Sequence, residues 1–350
     1  MIEIKVFSLH LALKTPFRIA HGTYTYRENV FIQLRKDDWY GYGEAPIVPY
    51  YGLTAEMVMA DIKNTILQDN SFSLEPGKEG QPLHFAYPVS CCAYQSALIN
   101  LQRALAGQLG ENQSGLEIPQ TSFTLAYDDN IENMIQLAKT CGFRRLKIKA
   151  GIPGDVERIA RIKEAVPDSL LRIDANQGWS FEQAPAKIAE LERIGVEFIE
   201  EPIEGTPSEV NYLAQNTSVP IVLDESIKDM AHLKSFIAGA PQVSGIVVKI
   251  AKSGGPEPTL ALIETAKAAG WNIMLSCMVE SSIGIISALS LAPLCTWIDL
   301  DAPLLLAEEP FGGLDYLDER PCFRPSEFIP SDKVKAYLDT IVPILRREEK

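Results

Sequence analysis

Residues 145–250 contain five short apolar runs that each carry a charged residue at or near the end: RLKIKA (145–150), LLRIDAN (170–176), EFIEEP (197–202), PIVLDES (220–226) and GIVVKI (245–250). The residues Lys149, Asp174, Glu200, Asp224 and Lys249 follow one another at intervals of 25, 26, 24 and 25 residues. A strand, a helix and two short loops together take about 25 residues. The spacing therefore predicts five successive parallel strands whose charged ends meet at one face.

Three more apolar runs extend this pattern to eight: SFTLAY (122–127), WNIMLS (271–276) and WIDLDA (297–302). Amphipathic stretches typical of helices lie between most of the runs, for example at residues 155–165 and 181–194. Eight strands alternating with helices predict a (β/α) barrel of the α/β class. An open, doubly wound sheet is the competing architecture, but the closest candidate for its phosphate loop, KSGG (252–255), lacks the nucleotide-binding spacing.

The first third of the chain has a different order of predicted strands and helices. Strands are predicted at residues 2–13, 29–36 and 39–43, and helices at 54–67 and 89–105, without a β-α-β rhythm, which indicates an α+β domain. A polar, Gly-rich segment at residues 106–118 is the predicted boundary. The division is therefore an α+β capping domain at 1–118 and a barrel at 119–318. The tail, 319–350, is expected to form a helix at 332–347 and to return to the first domain.

Three carboxylates at neighbouring strand ends point to a metal centre. Asp174, Glu200 and Asp224 would supply hard, anionic oxygen ligands, which suit Mg²⁺, whereas the nitrogen and sulfur ligands typical of zinc are missing from the pattern. The alternative is that each carboxylate only caps the following helix or faces solvent. Glu201 adjoins Glu200 and is an alternative ligand, and Asn176 is a candidate for supporting hydrogen bonds.

The lysines suggest acid–base chemistry beside this centre. Lys147 and Lys149 are two residues apart, so both point to the same face of their strand. Lys249 ends a strand expected roughly across the barrel from Lys149. Two amines on opposite sides of a metal could remove and return a proton at one carbon from opposite faces, while the metal stabilises negative charge on oxygen.

Asp299 and Asp301 are also two apart and face the same way at the last predicted strand. They either cap a turn or receive a cation such as a substrate ammonium group. The four histidines, His10, His21, His84 and His232, give no support for a His–Asp base, because only His232 lies in the barrel half. The sequence has no GxSxG motif for a serine nucleophile either.

Composition excludes several classes of partner. The 350-residue chain has a formal charge of −14, which argues against nucleic acid or an anionic membrane surface as partners. No apolar run reaches the roughly 18–20 residues of a membrane-spanning helix, and the N-terminus has no signal-peptide pattern. The six cysteines form no CxxC or zinc spacing, so they are predicted to be buried free thiols in a reducing cytoplasm.

Taken in order, a set of motifs resembles the enolase superfamily and, within it, the muconate-lactonizing subgroup. The motifs are GYGEAP (41–46), KIK (147–149), IDANQGW (173–179), IEEP (199–202), LDES (223–226), VKIAKSGG (248–255) and DLDAP (299–303). The resemblance covers nearly the whole chain. It implies a modified TIM barrel, (β/α)7β, with a capping domain built from both termini, and one Mg²⁺ per subunit held by Asp174, Glu200 and Asp224.

The same resemblance assigns roles to the lysines. Lys149 and Lys249 would be the two acid/base residues, and Lys147 would help to neutralise the substrate carboxylate and the enolate. Asp299-x-Asp301 resembles the pair that holds the α-ammonium group in dipeptide epimerases. The implied reaction is 1,1-proton transfer at the α-carbon of the C-terminal residue of a dipeptide.

The resemblance also implies where the substrate binds. Gly22 occupies the loop position at which Ala-Glu epimerases can carry an arginine. Arg18, His21 and Arg27 are possible substitutes but lie out of register, so the choice between glutamate and another side chain stays open. Nearby tyrosines suggest an apolar or aromatic pocket. The residues expected at the substrate besides the aspartates and Lys147 are His21, Gly22, Tyr24, Tyr51, Cys277 and Met278. Alternatives are an N-acylamino acid racemase, an o-succinylbenzoate synthase, a cycloisomerase or a non-enzymatic ligand-binding barrel. A homo-oligomer is compatible with the resemblance.

Overall fold

The computed structural model describes residues 1–19, 22–68, 83–108 and 117–347. Most of the predicted boundary segment, 106–118, lies outside the described residues, as does His21. The division into residues 1–118, 119–318 and 319–350 therefore stays a prediction.

The N-terminal part forms an antiparallel sheet in the order β14-β1-β2-β3. Its strands are β1 (Ile2–Ile19), β2 (Gly22–Lys36), β3 (Trp39–Ala45) and, from the far end of the chain, β14 (Leu345–Arg347). Alternate residues of β1 such as Ile4 and Val6 are buried, which is the period-two pattern of a sheet with one covered face. The helices α1 (Ala55–Gln68) and α2 (Pro88–Leu105) follow, after a short 3-10 turn at Pro49–Tyr51.

The second sheet contains eight parallel strands in strictly sequential order. The strands are β4 (Phe123–Leu125), β5 (Arg145–Lys149), β6 (Leu170–Asp174), β7 (Phe198–Glu200), β8 (Ile221–Leu223), β9 (Gly245–Val248), β10 (Asn272–Ser276) and β11 (Trp297–Asp299). A parallel bridge between Thr121 and Ile298 brings the first strand of the series to the last. The eight predicted strands thus form a nearly closed barrel, and the open-sheet alternative is wrong.

Helices connect the barrel strands and cover them from outside. They are α3 (Ile131–Thr140), α4 (Asp155–Ala165), α5 (Ala184–Ile194), α6 (Pro207–Gln215), α7 (Met230–Gly239), α8 (Ile250–Ser253), α9 (Pro256–Ala268), α10 (Ser282–Ala288) and α11 (Ala302–Leu305), with a 3-10 turn at Leu289–Leu294. Side chains fill the barrel interior, as expected for this fold. Phe198 lies with its ring centroid 4.8 Å from that of Trp297, and the guanidinium of Arg172 lies 5.4 Å from the Phe198 ring.

The C-terminal part corrects one prediction. After the hairpin β12 (Leu314–Leu317) and β13 (Arg320–Phe323), a short 3-10 turn at Pro325–Glu327 precedes α12 (Asp332–Thr340). The predicted helix at 332–347 therefore ends at Thr340, and after residues 341–344 the chain forms β14, which pairs antiparallel with β1. The helix ends early because Pro343 lacks a backbone N–H and disfavours the helical conformation of the residue before it.

Two further features concern membrane-spanning helices and the cysteines. Within the described ranges, no helix is both long and apolar enough to cross a membrane. All six cysteines are free, but only Cys92 and Cys295 are buried, while the other four are half-buried. The expectation of free thiols is thus confirmed, and the expectation of full burial is wrong for four of the six.

Candidate active site

The register of the barrel strands brings the charged residues together. Lys149 lies beside Asp174 in the β5–β6 pair, and Asp174 lies beside Glu200 in the β6–β7 pair. Asp224 follows β8 and Lys249 follows β9, so all five lie at the carboxyl ends of adjacent strands. The three carboxylates are 1% exposed or less. The grouping follows from parallel pairing, because residues that end neighbouring parallel strands meet at the same edge.

Lys147 is the central cation of the cluster. Its Nζ lies 3.1 Å from Asp174 Oδ2, 2.8 Å from Glu200 Oε2 and 2.9 Å from Asp299 Oδ2. Burial lowers the pKa of this amine, but the surrounding carboxylates outweigh burial and raise the pKa well above its usual range. These carboxylates therefore favour the charged form of Lys147 inside the barrel.

The two lysines proposed as acid and base each contact a different carboxylate. Lys149 Nζ donates to Asp174 Oδ2 at 2.6 Å and to Asn176 Oδ1 at 3.3 Å. Lys249 Nζ donates to Asp224 Oδ2 at 2.6 Å. Their strands, β5 and β9, are four steps apart in a series of eight, so the two amines project from opposite walls of the barrel.

The surroundings shift the pKa values of the three carboxylates in different directions. Burial raises the pKa of Asp174, but Lys147 and Lys149 outweigh burial and hold that pKa below its usual range. Asp224 is shifted in the same direction because Lys249 and Lys252 outweigh its burial. Glu200 has its pKa raised well above the usual range, by burial first and by Asp174 second. The positive charge of Lys147 therefore does not offset the effect of burial and of Asp174 on the pKa of Glu200.

The adjacent acids Glu200 and Glu201 have separate roles. Glu201 has a positive φ of 43°, and its carboxylate turns back to accept from Asp224 N at 2.6 Å, Ser226 Oγ at 2.5 Å and Gln177 Nε2 at 2.7 Å. Glu200 points into the barrel, where its Oε2 forms an ion pair with Lys147 Nζ at 2.8 Å and neither carboxylate oxygen accepts a well-oriented hydrogen bond from the described residues. Of the two, Glu200 is the one with oxygens available to a ligand.

The donor set fits a hard divalent cation. Asp174, Glu200 and Asp224 are buried carboxylates at the ends of neighbouring strands, and such oxygens are the ligands that Mg²⁺ prefers. Neither oxygen of Glu200 accepts a well-oriented hydrogen bond from the described residues, so a bound Mg²⁺ ion would satisfy them. Among the described residues, no three His, Cys, Asp or Glu side chains are already gathered as a metal cluster. The amines of Lys147, Lys149 and Lys249 lie against the carboxylates instead.

Asp299 and Asp301 differ in their contacts. Asp299 accepts from Ser122 Oγ at 2.6 Å and from Ser276 Oγ at 3.1 Å, in addition to its contact with Lys147. Asp301 accepts from Thr124 N at 2.5 Å. Burial, followed by the charge of Asp299, raises the pKa of Asp301 to about 7. Asp299 thus contacts three side chains of the protein, whereas Asp301 is held by Thr124.

A cavity of about 70 Å³ lies among these groups. The expected substrate residues in its wall are Lys147, Lys149, Lys249, Asp299, Asp301, Cys277 and Met278. Burial raises the pKa of the Cys277 thiol well above its usual range, so this side chain is a neutral wall group. Two much larger cavities share wall residues with the small one: the first, of about 810 Å³, shares Val48 and Met278, and the second, of about 800 Å³, shares Phe17 and Thr124.

The other described residues expected at the substrate, Gly22, Tyr24 and Tyr51, do not line the small cavity. Gly22 begins β2 with φ of 144°, and the oxygen of Tyr24 would lie 3.3 Å from a Cβ at that position. Tyr24 is covered by the guanidinium of Arg27 at 3.7 Å from its ring centroid. Tyr51 is 45% exposed and lines the cavity of about 810 Å³. Whether these residues and His21 contact the substrate stays a prediction.

Two residues of the site, Arg27 and Lys252, are not among the predicted site residues. Arg27 is 5% exposed and lines the small cavity, although its position in the sequence is out of register with the expected arginine. Lys252 donates to Asp224 O and Asp224 Oδ1, each at 2.6 Å. Its place three residues after Lys249, on the one-turn helix α8, was the available signal, because residues three apart share a helix face.

Comparison with known proteins agrees with this geometry. The family model described as "Enolase C-terminal domain-like" matches residues 130–313. The chain is 31% identical over 316 residues to the L-Ala-D/L-Glu epimerase of Escherichia coli, which covers 88% of this chain and 95% of the relative.

Two solved structures have the same fold. A substrate-liganded complex of the L-Ala-D/L-Glu epimerase from Bacillus subtilis has a TM-score of 0.80 at 25% identity and covers 94% of this chain and 97% of its own. The dipeptide epimerase from Enterococcus faecalis, complexed with Mg and the dipeptide L-Leu-L-Tyr, has a TM-score of 0.79 at 27% identity and covers 94% and 98%. The modified TIM barrel with an antiparallel capping sheet is therefore confirmed, and the protein is an isomerase. By sequence match and by structure, this chain belongs to the enolase C-terminal domain-like family.

Proposed function

We propose that the protein is a Mg²⁺-dependent dipeptide epimerase that moves a proton at the α-carbon of the C-terminal residue. The observation that carries the proposal is the placement of Lys149 and Lys249 on opposite walls of the barrel, each beside its own carboxylate. A carbon held between two such amines can lose its proton to one and regain a proton from the other, which inverts its configuration. The chain's similarity to named epimerases supports this assignment.

Asp174, Glu200 and Asp224 would hold the magnesium ion. When bound, it would supply Lewis-acid stabilisation of negative charge on substrate oxygen. The protein's own contribution is to keep the carboxylates buried and to place Lys147, whose charged form they favour, among them. That amine lies where a substrate carboxylate would gain negative charge as its α-proton leaves. The Mg bound to the Enterococcus faecalis enzyme supports the choice of metal.

The two acid–base residues exchange roles with the direction of the reaction. A neutral lysine on one wall takes the α-proton and becomes an ammonium group, and the opposite ammonium group donates its proton to the other face of the carbon. The pair thus ends with its protonation states reversed, and no net proton is lost. The ion pairs with Asp174 and Asp224 keep each amine aimed at the cavity between turnovers.

Asp299 and Asp301 support a substrate that carries an ammonium group. Both are buried in the wall of the small cavity, and buried carboxylates favour a cationic partner. A dipeptide carries an ammonium group on its N-terminal residue. With that group near the aspartates, the α-carbon of the C-terminal residue would lie towards the lysines. The dipeptide in the Enterococcus faecalis complex supports this substrate class.

The test is isotope exchange in D₂O with Mg²⁺ and a panel of L,L-dipeptides, read by mass shift and by chiral analysis. The wild-type protein should introduce one deuterium and invert one centre. Lys149→Ala should prevent proton removal from one epimer, and Lys249→Ala from the other, because each lysine serves one face. Lys139→Ala, on the exposed face of α3, is the control and should behave as wild type. Absence of exchange across the whole panel would refute the proposal.

A second candidate, an N-acylamino acid racemase, is favoured by one contact. Asp299 is engaged by Lys147 at 2.9 Å, so this aspartate could serve the lysine rather than a substrate ammonium group. Asp301→Asn separates the two candidates, because Asp301 forms no ion pair with Lys147 in the described part of the chain and asparagine can still accept from Thr124 N. For a dipeptide epimerase, kcat/KM should fall at least tenfold with dipeptides. For the racemase, N-acylamino acids should be turned over equally well by both proteins.

A further inference from the structure

One buried carboxylate outside the proposed machinery connects two loops of the site. Asp155 is the first residue of α4 and is 2% exposed. Its Oδ2 accepts from Gly151 N at 3.0 Å and from Trp179 Nε1 at 2.7 Å. Its Oδ1 accepts from Val156 N at 2.9 Å and from the ammonium group of Lys187. Four donors from the β5–α4 loop, the β6–α5 loop, α4 and α5 thus converge on one side chain.

The two loops that Asp155 joins lead directly to Lys149. Gly151 lies two residues after Lys149, at the end of β5. Trp179 lies three residues after Asn176, whose Oδ1 accepts from Lys149 Nζ. Asp155 therefore holds both the backbone from which Lys149 projects and the loop that carries its hydrogen-bond acceptor.

The loops are also in backbone contact, which leaves little room for either to move alone. Ala150 N donates to Asp174 O at 2.8 Å. A Cβ added to Gly178 would lie 2.4 Å from Gly151 Cα, so the two glycines touch without side chains. Gly151 has φ of +80°, a conformation that favours glycine. Such a close approach needs an attractive contact to fix its geometry, and the Asp155 carboxylate supplies one.

We infer that Asp155 is a positioning residue for Lys149, and that it sets the reactivity of one face of the substrate carbon more than the other. The inference rests on the proposed two-lysine function. Asp224 follows β8 and its partner Lys249 follows β9, and among the described residues the hydrogen bonds of Asp155 do not reach those strands. Loosening the loops should therefore misplace Lys149 while leaving Lys249 in place. Displacements of about 1 Å can reduce rates by about 100-fold.

The alternative is that Asp155 only stabilises the fold, as carboxylates at helix N-termini often do. Loss of stability would reduce proton removal from both epimers equally. Loss of Lys149 positioning would reduce it from one epimer. The ratio of the two initial exchange rates in D₂O is therefore the decisive readout, with Lys149→Ala and Lys249→Ala identifying the epimer that each lysine serves.

The test compares three variants at a temperature where all are folded. Asp155→Asn should lower the initial exchange rate of the Lys149-dependent epimer about tenfold and that of the other epimer less than threefold. Trp179→Phe removes one of the two loop contacts and should shift the ratio in the same direction, by about threefold. Lys187→Met removes the ammonium group from Asp155 and from the Trp179 ring, whose centroid is 5.4 Å away, but removes neither hydrogen bond to a loop, and should shift the ratio by less than Trp179→Phe does. Equal losses for both epimers in Asp155→Asn would overturn the inference.

Hydrogen exchange of the backbone tests whether Asp155 holds the two loops together, independently of catalysis. Peptides covering residues 145–153 should exchange faster in Asp155→Asn than in the wild type, whereas peptides covering residues 245–253 should not change. Unchanged exchange in both peptides would overturn the inference. If the wild type shows no isotope exchange with dipeptides, the proposed function fails. The backbone measurement still decides whether Asp155 holds the two loops.

Discussion

At the scale of single residues, burial and neighbouring charge give chemically identical side chains different states. Asp174 and Asp224 lie beside lysine amines that outweigh burial and keep them ionised. Glu200 and Asp301 are equally buried, but like charges add to the effect of burial and raise their pKa values. Raised pKa values of buried carboxylates are common at functional sites, where a bound cation can lower them again.

Asp301 leads to a pH prediction. Its pKa of about 7 means that the carboxylate is ionised above pH 7 and neutral below it. A neutral Asp301 attracts a substrate ammonium group less, so kcat/KM for dipeptides should fall by up to tenfold for each pH unit below 7. The measurement is a pH profile of kcat/KM from pH 5.5 to 9. Asp301→Asn should remove this limb of the profile, and an identical limb in that variant would assign the titration to another group.

At the scale of elements, the capping sheet depends on a close approach between β3 and α2. Glycines at positions 41 and 43 face the helix, and a Cβ at Gly43 would lie 1.9 Å from Ala93 O. No side chain fits between this strand and the helix backbone. The GYGEAP motif therefore has a packing reason for its glycines in addition to carrying Glu44.

Gly43→Ala should destabilise the protein by about 2–3 kcal/mol, because the added methyl group must displace helix backbone. Chemical denaturation followed by circular dichroism measures the loss. Gly107→Ala is the matched control at the end of α2, where no atom lies within 4 Å of the added Cβ and only the positive φ of 68° is unfavourable. That control should cost about 1 kcal/mol. Equal losses in both variants would contradict the packing argument.

At the scale of the whole molecule, Glu44 joins the capping sheet to the barrel. It is 2% exposed and accepts from Ser281 N at 3.0 Å, Ser281 Oγ at 2.6 Å and Gly284 N at 3.3 Å, all at the start of α10. Asn29 on β2 donates to Glu44 Oε1 and to Val279 O, at 2.7 and 2.9 Å. The segment held in this way directly follows Cys277 and Met278, so the cap fixes one wall of the cavity.

Glu44→Ala should destabilise the protein by about 2–4 kcal/mol, because buried donors at the start of α10 would lose their acceptor. It should also speed amide hydrogen exchange at residues 281–284, which mass spectrometry of peptides can measure. Glu28→Ala, on the exposed side of the same sheet, is the control and should change stability by no more than about 0.5 kcal/mol. If the two variants behave alike, Glu44 does not connect the two sheets.

Much of the barrel could be predicted from the sequence. Strand ends separated by about 25 residues must fall at one face when the strands are parallel, so the positions of Lys149, Asp174, Glu200, Asp224 and Lys249 followed from spacing alone. The eight strands and the α+β character of the cap followed from apolar periodicity for the same reason, because burial of alternate or successive residues is a local property of the chain.

Other features depend on contacts between residues distant in the sequence. The chain after Thr340 forms a strand because β1, more than 300 residues earlier, offers an open edge. Glu200 and Glu201 are neighbours of one type, and only the turn at Glu201, with its bonds to Gln177 and Ser226, separates their roles. Arg27 reaches the cavity, and Asp155 joins two loops, through contacts that no periodicity encodes. The sequence by itself thus determined which groups stand at the barrel mouth, since strand order and period are local, whereas tertiary packing alone decided which of them are bonded and which remain open to a ligand.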